Sequence, residues 1–255
     1  MNRSCTKPLW SLAGIGALLG LWGCGAAAYG PFILPRPGEA FGQLFNLFVS
    51  GEAQKALVST SQQALGGWLI GGLCGFALAL GGAFAAGLRL ALQPIAKVLL
   101  GVPPVAWVVL AVLWFGPSGF STGFTVAVAI LPVIFIAALQ GLESRDASLD
   151  EMAQSFGATP AQKFTDILAP QLLAHLLPAV ITALGFAFKV SVMAEVMVSG
   201  EGIGGRLSMA RAHLDLPEAF AWIILIVLLV LVFDLALIAP LRQILAGWRP
   251  AQRAG

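Results

Sequence analysis

Few residues in this chain could do chemistry, and most of them lie where the surrounding sequence is apolar. Lys189, Glu195 and Asp234 fall within or near the ends of long hydrophobic runs. A lysine at the centre of a bilayer costs about 2.5–3.5 kcal/mol on insertion scales, so it needs a carboxylate partner or a watery cavity. Glu195 lies six residues after Lys189, about 120° round an ideal helix, which makes it a poor partner on the same helix. Asp234 is the alternative partner. A lysine lining a path would draw an anion. A structural ion pair, or a lysine snorkelling outward along its stem, reads equally from the residues alone.

Two patterns match catalytic motifs by letter only. Gly119-Phe120-Ser121-Thr122-Gly123 satisfies G-x-S-x-G, with His213 and Asp215 as conceivable triad members. A nucleophile elbow needs a strand-to-helix turn in an α/β sheet, and nothing here forms one, so a membrane hydrolase is a remote reading. Gly200 to Gly205 satisfies G-x-G-x-x-G but follows an apolar run instead of a strand, which argues against a dinucleotide site. No G-x-x-x-x-G-K-[ST] phosphate loop occurs, so ATP would have to be bound elsewhere. Cys5, Cys24 and Cys74 have neither disulfide nor metal-ligand spacing, and no metal or other cofactor is expected.

The elements that must position these residues follow from composition. Of 255 residues 58% are hydrophobic and 10% charged, with a mean hydropathy of +0.90. A soluble domain carries about 25% charged residues. A net charge of +2 without a basic stripe excludes nucleic acid as a partner. The excess apolar surface must face lipid. A span needs about 20 apolar residues, and six stretches qualify: Leu9–Tyr29, Leu57–Leu80, Ile95–Phe115, Phe124–Leu142, Leu173–Val198 and Phe220–Pro240. The fold class is therefore an all-α membrane protein with six transmembrane helices in one domain over residues 1–255, its core about 57–240.

With both termini cytoplasmic, the inner segments hold Arg3, Lys7, Arg89, Lys97, Arg145, Lys163, Arg242, Arg249 and Arg253. The outer segments then hold only Arg36, Lys55, Arg206 and Arg211, which satisfies the positive-inside rule. Leu21-Trp22-Gly23-Cys24 loosely matches a lipoprotein cleavage box, but Trp22 is too large for it, and an uncleaved first helix is expected. Gly67, Gly71 and Gly75 leave one face of the second span without side chains, for close helix packing within the subunit or across a dimer. Pro103 and Pro104 interrupt the third span, as a simple kink or as part of a pathway lining.

Residues 143–171 form a loop with internal order. Ser148 and Glu151 have capping-box spacing, and Leu149, Met152, Ala153 and Phe156 then share a helix face. Gly157 stands where a helix would end in a left-handed conformation. Thr159 and Gln162 form a second capping box with Pro160 at the first helical position, and Pro170 separates this short helix from the fifth span. The pattern predicts helix, glycine turn, helix on the cytoplasmic side. Amphipathicity alone cannot tell packing under the bundle from docking on a partner.

Glu151-Met152-Ala153, three residues, Gly157, nine residues, Ile167, one residue, then Ala169-Pro170 resembles the EAA loop of ABC importer permeases. Met152 and Ala169 depart from that family's pattern as apolar replacements. Val102 to Trp107 with Leu113 to Gly116, and Ala194 to Met197 with Gly202-Ile203-Gly204, are similar to the nitrate/sulfonate/taurine branch. The resemblance implies a type I importer permease in a cell inner membrane, as a homodimer. It also implies two ATPase subunits docked on the loop, which bind and hydrolyse ATP, and an external substrate-binding protein. Glu151, Met152, Ala153, Gly157, Ile167 and Pro170 would form the coupling contact. On the readings of buried charge and a broken helix, Lys189, Glu195, Pro103 and Pro104 are the candidate pathway residues, and the branch resemblance favours as cargo a small anion such as nitrate, a sulfonate, taurine or bicarbonate. The physical rival is a secondary transporter driven by an ion gradient, which also uses broken helices and buried charge.

Overall fold

The computed structural model describes residues 6–30, 32–144, 147–198 and 200–235. Among them the ordered elements are all helical. In chain order they are α1 (Thr6–Tyr29), α2 (Pro37–Val49), α3 (Glu52–Phe84), α4 (Ala86–Gly101), α5 (Pro104–Phe115) and α6 (Gly119–Glu143). There follow α7 (Ala147–Ser155), α8 (Pro160–Lys163), a π-helical turn (Phe164–Leu168), α9 (Ala169–Val198), α10 (Ile203–Ala212) and α11 (Leu216–Phe233).

The centre of the fold is α3 against α6, with α9 completing a three-helix core. The buried residues of α3 are Ala53, Ala56, Thr60, Ala64, Gly67, Gly71, Gly75, Ala79 and Gly82, a stripe at three- and four-residue spacing. Small residues let a facing backbone approach where lipid provides no hydrophobic drive between helices. A Cβ on Gly67 would lie 2.6 Å from the Gly123 carbonyl oxygen, and one on Gly71 or Gly75 would strike the Ala127 or Leu131 carbonyl. The glycine face is thus used within the subunit. On the other side of these helices Leu65, Leu69, Ile70 and Leu73 are exposed, as lipid-facing residues would be.

Among the described residues four helical stretches are long and apolar enough to cross a membrane unaided, and α4 with α5 makes a fifth as a bent pair. The third expected span is therefore not one helix: α4 and α5 meet at 96°. Pro103 is extended (φ −59°, ψ 138°) and Pro104 occupies the first position of α5. Two successive residues without an N–H cannot continue the α4 ladder, but the second is well suited to start a new helix. In α1 the described apolar stretch is Ala13–Tyr29, shorter than the other spans. Trp22 attaches α1 through Nε1, which donates to the Pro35 carbonyl at 3.0 Å, and its ring lies 5.5 Å from that of Phe220. The last expected span, Phe220–Pro240, is seen as α11, and its residues 236–240 lie outside the described residues.

The connections sort to two ends. One end carries α7, α8 and the Arg89–Glu143 ion pair (3.1 Å). The other carries α2, the α5–α6 turn and α10, packed on α11 through the fully buried Trp222.

Candidate functional site

At the first end, α7 closes with a glycine C-cap. The Ala158 N–H donates to the Ala153 carbonyl at 2.9 Å, and Gly157 takes φ +71°. That 6→1 bond with a left-handed residue inside it is the Schellman arrangement, and it turns the chain sharply. The second capping box is formed: the Thr159 N–H donates to Gln162 Oε1 (2.9 Å) and the Gln162 N–H to Thr159 Oγ1 (3.3 Å). α7 is described from Ala147, with Ser148 and Glu151 both in its N-terminal half.

One expectation about this segment is corrected. Pro170 does not separate the short helix from the fifth span; the chain from Pro160 runs continuously into α9. Its missing N–H is accommodated by the π turn, where Ala169 bonds back to Phe164. The shared apolar face of α7 is not turned wholly under the bundle. Ala153 is buried, while Met152 is 51% and Phe156 83% exposed, with Phe164 also exposed at the start of the π turn. Glu151 is exposed beside them, and Ile167 is half-buried in the π turn.

The intramembrane charges separate from one another. Lys189 is exposed on α9 and lines a cleft of about 530 Å³ between α9 and α11, with Thr182, Phe186, Val230, Phe233 and Asp234. Lys189 and Asp234 share this cleft without forming an ion pair. Neither Pro103 nor Pro104 lines it.

Glu195 lies outside that cleft and is 1% exposed. Its Oε2 accepts from Thr60 Oγ1 (2.9 Å) and from the Gly204 N–H (3.0 Å), and Oε1 from Ser191 Oγ (3.4 Å). Thr60 Oγ1 in turn accepts from the Ile203 N–H at 2.9 Å. A carboxylate on α9 and a hydroxyl on α3 thereby satisfy the first free amides of α10. Gly202 has no Cβ because the Glu195 carboxyl occupies that space, and Gly204 packs on the Val192 carbonyl. The two halves of the Glu195 and Gly202–Gly204 pattern are therefore one contact. Thr60 was missed by the sequence reading; the signal was a single polar residue on the small-residue stripe of α3.

Ser121, the letter match to a nucleophile, is buried in the first turn of α6 and donates to the Gly116 carbonyl at 2.5 Å. Its role is to close the α5–α6 turn.

These features describe an all-helical protein with several helices long and apolar enough to cross a membrane. The chain belongs to the family of binding-protein-dependent transport system inner membrane components, whose model matches residues 71–242. It is 33% identical over 219 residues to a putative aliphatic sulfonates transport permease, SsuC, of Escherichia coli K12, covering 86% of this chain and 83% of that protein. It is 26% identical over 255 residues to the taurine transport system permease TauC of the same strain, covering 97% and 91%. A crystal structure of an amino acid ABC transporter with histidines superposes with a TM-score of 0.65 at 19% identity, covering 80% of this chain and 97% of that one. The chain is thus an ABC importer permease of type I fold, in the branch that holds sulfonate and taurine permeases.

Proposed function

We propose that the 144–168 segment is the cytoplasmic coupling element, on which a separate ATPase docks to drive this permease. The observation that carries the reading is the outward exposure of Met152 and Phe156 on a helix fixed by the Gly157 turn. Large apolar side chains held out by an ordered helix on the aqueous side favour burial in a partner's groove. The run from Pro160 into α9 gives such a partner a direct mechanical connection to a core helix, which an interfacial hairpin would not need. Two ATPase subunits, a homodimer of permeases and an external binding protein complete the assembly, by analogy with the family.

The cargo is a small anion, with alkyl sulfonates and taurine favoured by the relatives. Lys189 supplies a positive charge not paired with the Asp234 that shares the cleft, and most of the remaining lining is apolar, as an anion with a short carbon chain would require. Replacing Phe156 by aspartate tests the docking. Loss of co-purification of the ATPase with a normally inserted permease is expected, and unchanged co-purification would overturn it.

A further inference from the structure

A second cavity, of about 280 Å³, lies at the end opposite to the 144–168 segment. It is bounded by α3, the start of α6 and the α9–α10 loop, through Ser59, Gln63, Ser118, Thr122, Gly200 and Glu201. Its lining is polar where the rest of the bundle is apolar, and two of its polar atoms have no partner. Thr122 is 1% exposed, and its Oγ1 makes no hydrogen bond. Gln63 Oε1 is likewise buried and unbonded, while its Nε2 is occupied in donating to Ser59 Oγ at 3.1 Å. Leaving a buried polar atom unpaired costs about 1–3 kcal/mol, so such atoms ordinarily have a partner.

The chemistry of the lining selects the occupant. Gln63 Oε1 and the Glu201 carboxylate can only accept hydrogen bonds, and Ser59 Oγ already accepts from Gln63. No lysine or arginine lines the cavity, so an anion finds no counter-charge. Glu201 is the single carboxylate, and among the described residues no group of three His, Cys, Asp or Glu could hold a metal ion. A divalent cation would be short of both charge and ligands. One positive charge bearing several N–H donors matches what remains, in a cavity large enough for a small organic ligand.

We infer that this cavity is a binding site for a primary ammonium group carried by a small ligand, held by Gln63, Thr122 and Glu201. The site stands on its own geometry, independently of the ATPase docking. A free amine and the amino end of a zwitterion offer the same group, and the experiment separates them. The full-length permease in nanodiscs of neutral lipid is melted against ethylammonium chloride, 2-aminoethanesulfonate, ethanesulfonate and sodium chloride. With Lys189→Met as the background, so that the first cleft cannot answer to a sulfonate, both amines are expected to raise the melting temperature saturably and the two controls are not; a response to one amine alone identifies the kind of carrier. Thr122→Val, and the exposed Glu201→Gln should Thr122→Val itself melt low, weaken half-saturation about tenfold, as loss of a charge-assisted bond implies. No saturable shift with either amine, an equal shift with ethanesulfonate or sodium chloride, or an unchanged response in the variants overturns the site.

Discussion

Thr60 and Glu195, 135 residues apart, meet at 2.9 Å in the buried core, and Thr60 passes the contact on to the backbone of Ile203. This pair ties α3, α9 and α10 together at one end of the bundle. Thr60→Val keeps the shape but leaves the Ile203 N–H without its acceptor and removes one donor from Glu195. It should destabilise the protein by about 1–3 kcal/mol, while Thr60→Ser retains most of the stability. Denaturation in detergent followed by loss of helical circular dichroism checks this; equal stability of Val and Ser variants would contradict it.

The adjacent glycines of α3 give a sharper contrast. Gly71 faces the Ala127 carbonyl with no room for a Cβ, whereas Gly72 has nothing within 4 Å of that position. Gly71→Ala must push α3 from α6, and overpacking of this kind costs about 1–3 kcal/mol or more. Gly72→Ala should be neutral or stabilising by up to about 1 kcal/mol through helix propensity. Melting temperatures of the two variants, one residue apart, should therefore move in opposite directions or differ by several degrees.

Gly157→Val places a β-branched residue at φ +71°, at a cost of about 1–2 kcal/mol in local backbone strain. The strain falls on the turn beyond α7, away from the core helices. The variant should insert and melt near the parent temperature, yet lose most ATP-driven uptake while ATP hydrolysis persists. Uptake measured beside hydrolysis in proteoliposomes separates this from simple misfolding, and normal uptake would count against a coupling role.

Lys189 carries the charge argument for the cleft. Lys189→Arg should retain uptake of an anionic substrate, and Lys189→Met should lower it at least tenfold, the loss of one charge-assisted contact. Equal activity of the two, once insertion is verified, would remove the charge from the mechanism.

The parts legible in the sequence were those with a local physical cause. Hydrophobic length marked the spans, the Thr159–Gln162 spacing marked a cap that formed, and Gly157 marked a left-handed turn that formed. The 96° break at Pro103-Pro104 was legible as an interruption but not in size, since its angle depends on how α5 packs against α6 and α9. Pro170 misled because a proline stop can be absorbed by a π turn, which has no distinct sequence signal. Glu195 read as a charge in the membrane, and its partners Thr60 and Gly204 could come only from the tertiary fold.

The central claim is that ATP hydrolysed on a partner, and not an ion gradient, drives this permease through the Met152 and Phe156 surface. The most direct measurement is uptake of a radiolabelled alkyl sulfonate into proteoliposomes holding the permease, its ATPase and its binding protein. Uptake should require ATP and the ATPase, persist when ionophores collapse all ion gradients, and vanish with Phe156→Asp. Uptake that proceeds without the ATPase and follows an imposed ion gradient would contradict the account.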